Sequence, residues 1–321
     1  MSEAAAPRPG RFGAPETALL ITVSVVWGAA YVFIRQGLLL GAAPLAFASV
    51  RYLLSAVVFA ALAAARREAF PARRDLVLSA SVGGIMIIGL YGGFLYWGEQ
   101  YTTGGYAAVL ASTAPLLTVA VGFSLLSAER LGRSGLLGMG IGFVGATVLV
   151  LPELAGINAL GSWEGPPFIL AAMVSTATGT VLLRRFGRGR QGLWQIGAQF
   201  TVAGTMLGAA SLVIPGGHAL PLTTGVLEML GFLVALSSVI GYFAYFALHH
   251  RVGPVRANVV AYIAPLIGVG VGTGLYGEPI TVWEIVGVVV VLLGVGLVLL
   301  DSVRRTATAA PVPAPSSRPA D

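Results

Sequence analysis

Aromatic and amide side chains are the groups in this sequence that could hold a small solute. Trp27 and Tyr31 are four residues apart, as are Gln195 and Gln199, so each pair would share one helix face. Four further tyrosines lie in apolar runs, namely Tyr91, Tyr242, Tyr245 and Tyr262. Packing explains each residue better when it is taken alone. Together, their stacking and hydrogen-bonding capacity favours a cavity for a zwitterionic or aromatic solute.

Arg51 interrupts an apolar run, and burying a cation in a membrane costs at least about 2.5 kcal/mol on insertion scales. Two explanations are open. Arg51 could bind the carboxylate of a solute in the cavity. Alternatively, its role is structural, either in a pair with Glu99 at the outer end of the third helix or by extending to the outer surface. The sequence favours the structural role.

Other kinds of chemistry are excluded by residues that are absent. The chain has no cysteine, so disulfides, thiolate metal sites and cysteine nucleophiles are excluded. It also has no lysine, which excludes a Walker A loop and a lysine Schiff base. None of His218, His249 and His250 has metal-ligand spacing. We therefore expect no catalytic residues, no bound metal and no cofactor.

The composition indicates a polytopic membrane protein. Of the 321 residues, 56% are hydrophobic and only 10% are charged, whereas about a quarter of the residues in a soluble domain are charged. The net charge of +6 comes from arginines in short clusters between apolar runs. This placement is explained by membrane topology, so we expect a lipid bilayer as the surrounding partner and no nucleic acid.

Charge-poor runs of about 20 residues predict membrane-spanning helices. The sequence contains ten such runs, over residues 17–34, 44–65, 76–98, 104–127, 134–152, 166–183, 193–214, 226–247, 257–276 and 281–300. With both termini in the cytoplasm, all but two of the 19 basic residues fall in cytoplasmic segments or tails. The exceptions are Arg35, on the outside, and Arg51, within the membrane.

The chain also repeats itself. Pro115, Glu129, Gly138 and Gly145 recur about 150 residues later, as Pro265, Glu278, Gly287 and Gly294. An odd number of helices separates the copies, so the second copy would be inserted upside down. Inverted repeats of this kind are a recurring plan of secondary transporters, with the solute site near the bilayer midplane.

Two prolines at matching repeat positions predict breaks within membrane helices. Pro115 and Pro265 each remove one hydrogen bond and free the carbonyl four residues earlier. A break of this kind can act as a hinge or gate, or remain a fixed kink. Because both copies carry it, the pattern favours a hinge. For the repeated glycines, including Gly-x-x-x-Gly spacings at Gly138–Gly142, Gly268–Gly272 and Gly270–Gly274, close helix packing is expected.

The ordered motifs resemble the ten-helix EamA-type permeases of the drug/metabolite transporter superfamily. The first half contains Trp27-Gly28-Ala29-Ala30-Tyr31-Val32, Ala43-Pro44-Leu45 with Arg51-Tyr52-Leu53, and Gln100-Tyr101-Thr102-Thr103 with Ala114-Pro115. The second half contains Arg251-Val252-Gly253, Ala264-Pro265 and Gly277-Glu278-Pro279. The resemblance covers about residues 17 to 300. It implies transport of amino acids, other metabolites or drugs, often outward.

The sequence thus predicts an all-α integral membrane protein of ten transmembrane helices in two inverted five-helix repeats. The predicted segments are a disordered cytoplasmic stretch (1–16), the first repeat (17–152), an external loop (153–165), the second repeat (166–300) and a disordered cytoplasmic tail (301–321). We expect a monomeric secondary transporter in a bacterial inner membrane that exports small metabolites, amino acids first, by alternating access. A multidrug carrier of the same family, a channel and an intramembrane enzyme are the alternatives.

Overall fold

The computed structural model describes residues 13–125, 132–154, 162–187, 191–214, 216–252, 257 and 259–308. These residues are mostly helical, and no strand occurs among them. Within the described ranges, ten helical units follow one another in chain order: α1 (Ala14–Leu39), α2 (Pro44–Ala65), α3 (Arg73–Tyr101), α4 (Gly104–Ala111 and Ala114–Leu125), α5 (Arg133–Leu154), α6 (Gly165–Phe186), α7 (Leu193–Val213), α8 (Thr224–Val252), α9 (Val260–Tyr276) and α10 (Val282–Thr308).

The helices have the length and composition of membrane spans. Eight in the described part of the chain are long and apolar enough to cross a bilayer, and shorter apolar helices occupy Val260–Tyr276 and Val282–Val298. The predicted class, an all-helical multi-pass membrane protein, is confirmed. The number of crossings and the inversion of the repeats stay predictions.

Two helices extend into segments that were expected to be disordered. The helix α1 begins at Ala14, where the backbone N–H of Gly13 donates to the Glu16 carboxylate over 3.1 Å. This contact satisfies one of the free amides of the first turn. The helix α10 continues to Thr308, beyond the predicted boundary at 300. The external loop was predicted over 153–165. The helix α5 ends at Leu154 and α6 begins at Gly165, and 155–161, between them, lies outside the described residues.

The most extensive helix contacts of the first half have equivalents in the second half. The helix α1 packs on α8 and α9, and α6 packs on α3 and α4, which are their counterparts five helices away. The helix α2 packs along its own counterpart α7, and α5 along α10. These extensive contacts therefore map onto one another when every helix is exchanged for the one five places away, whereas smaller contacts, such as that of α1 with α4, have no equivalent of similar size.

Glycines allow α5 and α10 to approach each other closely. A Cβ atom on Gly294 would lie 2.5 Å from Cα of Gly142 and 2.6 Å from the carbonyl oxygen of Gly138. Both contacts are with backbone atoms, which cannot move aside as a flexible side chain can. The predicted packing role of Gly138 and Gly142 is confirmed.

The glycines of α9 divide into two groups. A Cβ atom on Gly268 would lie 2.5 Å from Cβ of Ala108 and 3.2 Å from the carbonyl oxygen of Gly28. Around Gly270 and Gly274, in contrast, no described atom lies within 4 Å of the added carbon. The packing prediction was therefore wrong for Gly270 and Gly274, because their face of α9 meets no neighbouring helix in the part of the chain that the structure describes.

Three carboxylates cap helix N-termini that are distant in sequence. The Glu278 oxygens accept the N–H groups of Gly104 and Gly105 at the start of α4, over 3.0 and 2.9 Å. Asp301 accepts the Gly132 N–H before α5 over 2.7 Å, and Glu68 accepts the Leu193 N–H of α7 over 2.8 Å. Glu278 therefore caps α4, an earlier helix, and not the next helix in the chain, α10. Glu129 lies outside the described residues.

The helices α3 and α8 each contain a π-helical segment, over Ser79–Leu90 and Phe232–Ile240. A π segment shifts the hydrogen-bond register and is frequent at functional sites. Here the two segments supply polar groups to neighbouring helices. The Met86 carbonyl accepts the Ser175 hydroxyl of α6, and Ser237 and Ser238 face α2. The π segments therefore place polar groups in the interior of the helical bundle.

Candidate functional site

The side chain of Arg51 lies at the centre of the polar interior, with 9% of its surface exposed. Its Nη1 donates to the Tyr96 hydroxyl over 2.9 Å, Nη2 donates to Ser237 Oγ over 3.1 Å, and Nε donates to Ser238 Oγ over 3.3 Å. The guanidinium carbon is also 5.4 Å from the centroid of the Tyr52 ring. Arg51 of α2 therefore connects α3 to α8.

Arg51 does not form the expected pair with Glu99. Its Nε, Nη1 and Nη2 atoms each donate to a hydroxyl group, and both Glu99 carboxylate oxygens lack a hydrogen-bond partner among the described residues. Nor does Arg51 extend to the surface, because its side chain is buried. Neutral hydroxyl acceptors hold this cation, which sequence analysis had assigned either to a carboxylate or to the outer surface.

Five of the predicted aromatic residues lie in or next to this cluster. The indole N–H of Trp27 donates to the Ser237 carbonyl over 3.1 Å. The Trp27 ring lies 5.9 Å from the Tyr242 ring and 4.9 Å from the Tyr245 ring, between centroids. In the same interior, the hydroxyls of Tyr31 and Tyr91 are 3.4 Å apart. The structure thus brings residues of α1, α3 and α8 together around the end of the Arg51 side chain.

A pocket of about 410 Å³ opens where α6 ends and α7 begins, which we call the pocket end of the bundle. This volume lies within the range of small-molecule sites. The pocket is lined by Ile87, Thr180, Leu183, Arg184, Gly187, Gln191, Gln199 and Tyr242. Gln199 and Tyr242 were predicted as solute-binding residues, so the pocket extends from the surface to two members of the predicted set.

Gln199 is held in place at the pocket by polar neighbours. Its amide nitrogen donates to Ser79 Oγ over 2.6 Å and to the side-chain oxygen of Gln191 over 3.0 Å. Ser79 begins the π segment of α3. The two hydrogen bonds fix the amide of Gln199 between α3 and the start of α7, at the wall of the pocket.

Gln195 and Tyr262 lie apart from this set. The Gln195 side-chain oxygen accepts the Gly192 N–H over 2.9 Å, and its amide nitrogen donates to the Asp75 carbonyl over 3.3 Å. Gln195 therefore caps the start of α7. Tyr262 of α9 is half-buried and packs beside Gly296 of α10. Helical spacing placed Gln195 with Gln199, but Gln195 lies in the first turn of α7 and caps it, whereas Gln199 lies one turn further along and lines the pocket.

The two prolines have different surroundings. The helix α4 is interrupted by a turn at Ser112 and Thr113, directly before the segment that contains Pro115. Pro265, in contrast, lies inside the continuous helix α9. Next to it, a Cβ atom on Gly28 of α1 would clash with the Ala264 carbonyl. Matching sequence positions thus give a break in one half and a tightly packed helix in the other.

Sequence analysis missed the residues that hold Arg51. Tyr96 was not distinguished from the many aromatic residues of α3, and Ser237 and Ser238 were not considered. Two adjacent serines in an otherwise apolar run of α8 are a signal that could have identified an acceptor for a buried cation. Arg35 was assigned only to the outside. Its Nη1 in fact donates to the Glu99 and Gln100 carbonyls at the end of α3.

A multi-pass helical bundle with a buried polar cluster and a pocket at one end has the architecture of a small-molecule carrier. Comparison with protein families identifies the family of carriers. The EamA-like transporter family model matches residues 15–151 and again 163–300. The chain belongs to this family and carries two copies of its repeat.

Its relatives are membrane transporters. It is 31% identical to the uncharacterized inner membrane transporter YedA of Escherichia coli K12, over 88% of this chain and 89% of that protein. It is 27% identical to a probable amino-acid metabolite efflux pump of Salmonella typhimurium, over 90% and 96% of the two chains. A solved crystal structure shares the fold, with a TM-score of 0.60, 18% identity, and coverage of 92% of this chain and all of the other. The protein is therefore a membrane transporter of small molecules.

Proposed function

We propose that this transporter is a secondary carrier that exports small metabolites, most specifically amino acids, across a bacterial inner membrane by alternating access. The observation that carries the proposal is the pocket, which is open at one end of the bundle and contains Gln199 and Tyr242. An amide and a phenol can bind the ammonium and carboxylate groups of an amino acid. Arg184, at the rim of the pocket, carries a positive charge that complements the negative charge of a carboxylate. The Salmonella relative, named as a probable amino-acid metabolite efflux pump, supports this substrate class.

The proposed architecture is ten membrane helices in two inverted five-helix repeats. The two matches of the family model support a duplication. The most extensive helix contacts support a two-fold relation, because they are preserved when each helix is exchanged for the one five places away. Since an odd number of crossings separates the copies, such a relation requires opposite orientations in the membrane.

The proposed orientation places both termini and the pocket end in the cytoplasm. Arg74, Arg133 and Arg251 all lie at helix ends on this side, and the positive-inside rule assigns such loops to the cytoplasm. Reporter fusions after these three residues are expected to show cytoplasmic activity, and fusions after Glu164 and Gly217 to show external activity. A fusion that reports the opposite side at any one of these positions would contradict the inverted orientation of the two repeats.

Liposome assays test the transport proposal directly. Purified protein in liposomes would be screened for uptake of radiolabelled amino acids and common metabolites. A carrier that alternates is expected to show faster uptake when unlabelled substrate is present on the opposite side. A channel shows no such trans-stimulation. Absence of trans-stimulation for every transported solute would contradict alternating access.

A pair of glutamines on α7 provides a matched test of the pocket. Gln199→Leu removes an amide that lines the pocket, whereas Gln195→Leu removes one that caps the helix start. Loss of one or two hydrogen bonds is expected to weaken apparent substrate affinity about 3- to 10-fold for Gln199→Leu. Apparent affinity should stay unchanged for Gln195→Leu. Equal effects of the two substitutions on the half-saturation concentration would refute the assignment of the pocket.

Pro115 and Pro265 remain the proposed hinge residues of the gates, and the structure suggests unequal contributions. Pro115→Ala supplies an N–H group for the Ala111 carbonyl and can join the two segments of α4. We expect transport to slow several-fold in this variant while the protein folds normally. Pro265→Ala lies in a continuous, tightly packed helix and should have a smaller effect. Initial uptake rates check this, and an unchanged rate in Pro115→Ala would make the interruption a fixed kink.

A further inference from the structure

Glu99 is the one fully buried carboxylate in the described part of the chain without a hydrogen-bond donor. Its side chain is 0% exposed, and neither Oε1 nor Oε2 has a partner among the described residues. The buried carboxylate of Asp301, in contrast, accepts from Gly132 and Ser134, and that of Glu284 accepts from Thr281. The site around Glu99 is therefore built differently from the capping sites.

The nearby cations donate no hydrogen bond to the Glu99 carboxylate. The charged groups that face Glu99 are Arg35 on α1, Arg51 on α2 and Glu278 in the loop after α9. Arg35 uses Nη1 on the backbone carbonyls of Glu99 and Gln100. Arg51 is held by three hydroxyls, and Glu278 accepts the amides of α4. No described residue thus donates a hydrogen bond to the Glu99 carboxylate, and the two arginines act on it only through their charge, which the charge of Glu278 opposes.

An ionised carboxylate buried without donors costs several kcal/mol, so this site suits the neutral acid. Glu99 lies at the end of α3 opposite to the pocket end, because Asp75 at the start of α3 contacts Gln195 at the start of α7. We call this opposite end the closed end, because its smaller hollow of about 290 Å³, lined in part by Trp97 and Gln100, does not reach the buried Glu99 side chain. A neutral Glu99 can release its proton to water only if the closed end opens.

We propose that Glu99 is a proton-binding site that couples protonation to closure of this end of the transporter. The proton arrives from external water when the closed end is open, and the resulting neutral acid is then buried. Deprotonation requires the reverse movement, and the linkage between the two equilibria is reciprocal. This inference rests on the alternating access proposed above and adds to it a dependence on the pH of the external water.

Single reporter cysteines test the coupling without a known substrate, because the native chain has no cysteine. Thr102→Cys places a thiol at the closed end, where Thr102 is 3% exposed. Thr180→Cys places one in the pocket. Each would be labelled with a maleimide over about pH 5.5 to 8.5. Each rate would be divided by the rate of the same variant unfolded in detergent at the same pH, which removes the intrinsic pH dependence of the thiol.

Raising the pH is expected to increase labelling of Thr102→Cys and to decrease labelling of Thr180→Cys. Binding of one proton can change the ratio of the two states by up to about tenfold per pH unit. Adding Glu99→Gln should abolish both responses and fix the labelling at its low-pH level. Glu164→Gln, a substitution of a less buried carboxylate at the same end, is the control and should leave both responses intact.

Three results would overturn the proposal. The first is labelling that does not change with pH in the presence of native Glu99. The second is an equal pH response with Glu99→Gln, which would leave alternating access intact, since trans-stimulation tests that independently. The third is a loss of folded protein in both Glu99→Gln and Glu99→Met, because a site for the neutral acid must accept a neutral side chain.

Discussion

Arg51→Ala is expected to lower the free energy of unfolding by about 2 to 4 kcal/mol and to abolish most transport. The substitution leaves the hydroxyls of Tyr96, Ser237 and Ser238 without their donor in a buried site. It also removes the contact between α2, α3 and α8 that the guanidinium provides. Lysine could not replace this function, because a single ammonium cannot reach three acceptors in the geometry of a guanidinium.

Thermal unfolding of the purified variant measures the effect of Arg51→Ala. Arg66→Ala is the control, because Arg66 is exposed at the end of the same helix. Its effect should stay within about 0.5 kcal/mol. If Arg51→Ala were instead as stable as the native protein and lost only its preference for solutes with a carboxylate, Arg51 would be a substrate ligand.

Gly294→Val is expected to have the largest effect on folding, above about 3 kcal/mol. The first added carbon would already meet the Gly142 Cα and the Gly138 carbonyl oxygen, at 2.5 and 2.6 Å. Only a separation of α5 from α10 could relieve this contact. Since these helices pack against each other along their length, the separation would remove much of their interface.

The yield of monodisperse protein after size-exclusion chromatography measures the effect of Gly294→Val. Gly140→Val tests the same change in α5 at a position where no described atom lies within 4 Å of the added carbon. The control should be produced at close to the native level. Equal yields from the two variants would contradict the close packing of α5 and α10.

Local features of the sequence predicted the helices well. Long apolar runs leave a membrane protein few alternatives to helices, because every backbone polar group in lipid must find a partner within the protein. The boundaries were less predictable where a distant residue or a local cap extends a helix. Asp301 contacts Gly132 and Ser134, so the end of α10 is tied to the start of α5. No local pattern carries this information.

The interior was predicted in part. Two residues of the predicted set, Gln199 and Tyr242, line the pocket. Spacing could not separate Gln199 from Gln195, because both lie on one face of α7. Only the position of the helix start distinguishes them. The acceptors of Arg51 lie on α3 and α8, and a single sequence does not show which apolar helices meet. For the same reason, it could not show that Glu99 lacks a donor.

The distant caps of α4 and α5 have a consequence for synthesis on the ribosome. Glu278 follows Gly104 by 174 residues, and Asp301 follows Gly132 by 169. At ordinary elongation rates, each carboxylate is made roughly 10 to 35 seconds after the amides it caps. During that interval the starts of α4 and α5 lack these partners, so the first repeat cannot reach its final arrangement while it is being made. Its maturation depends on the last two helices, and a nascent chain that stops before residue 278 would remain unfinished in the membrane.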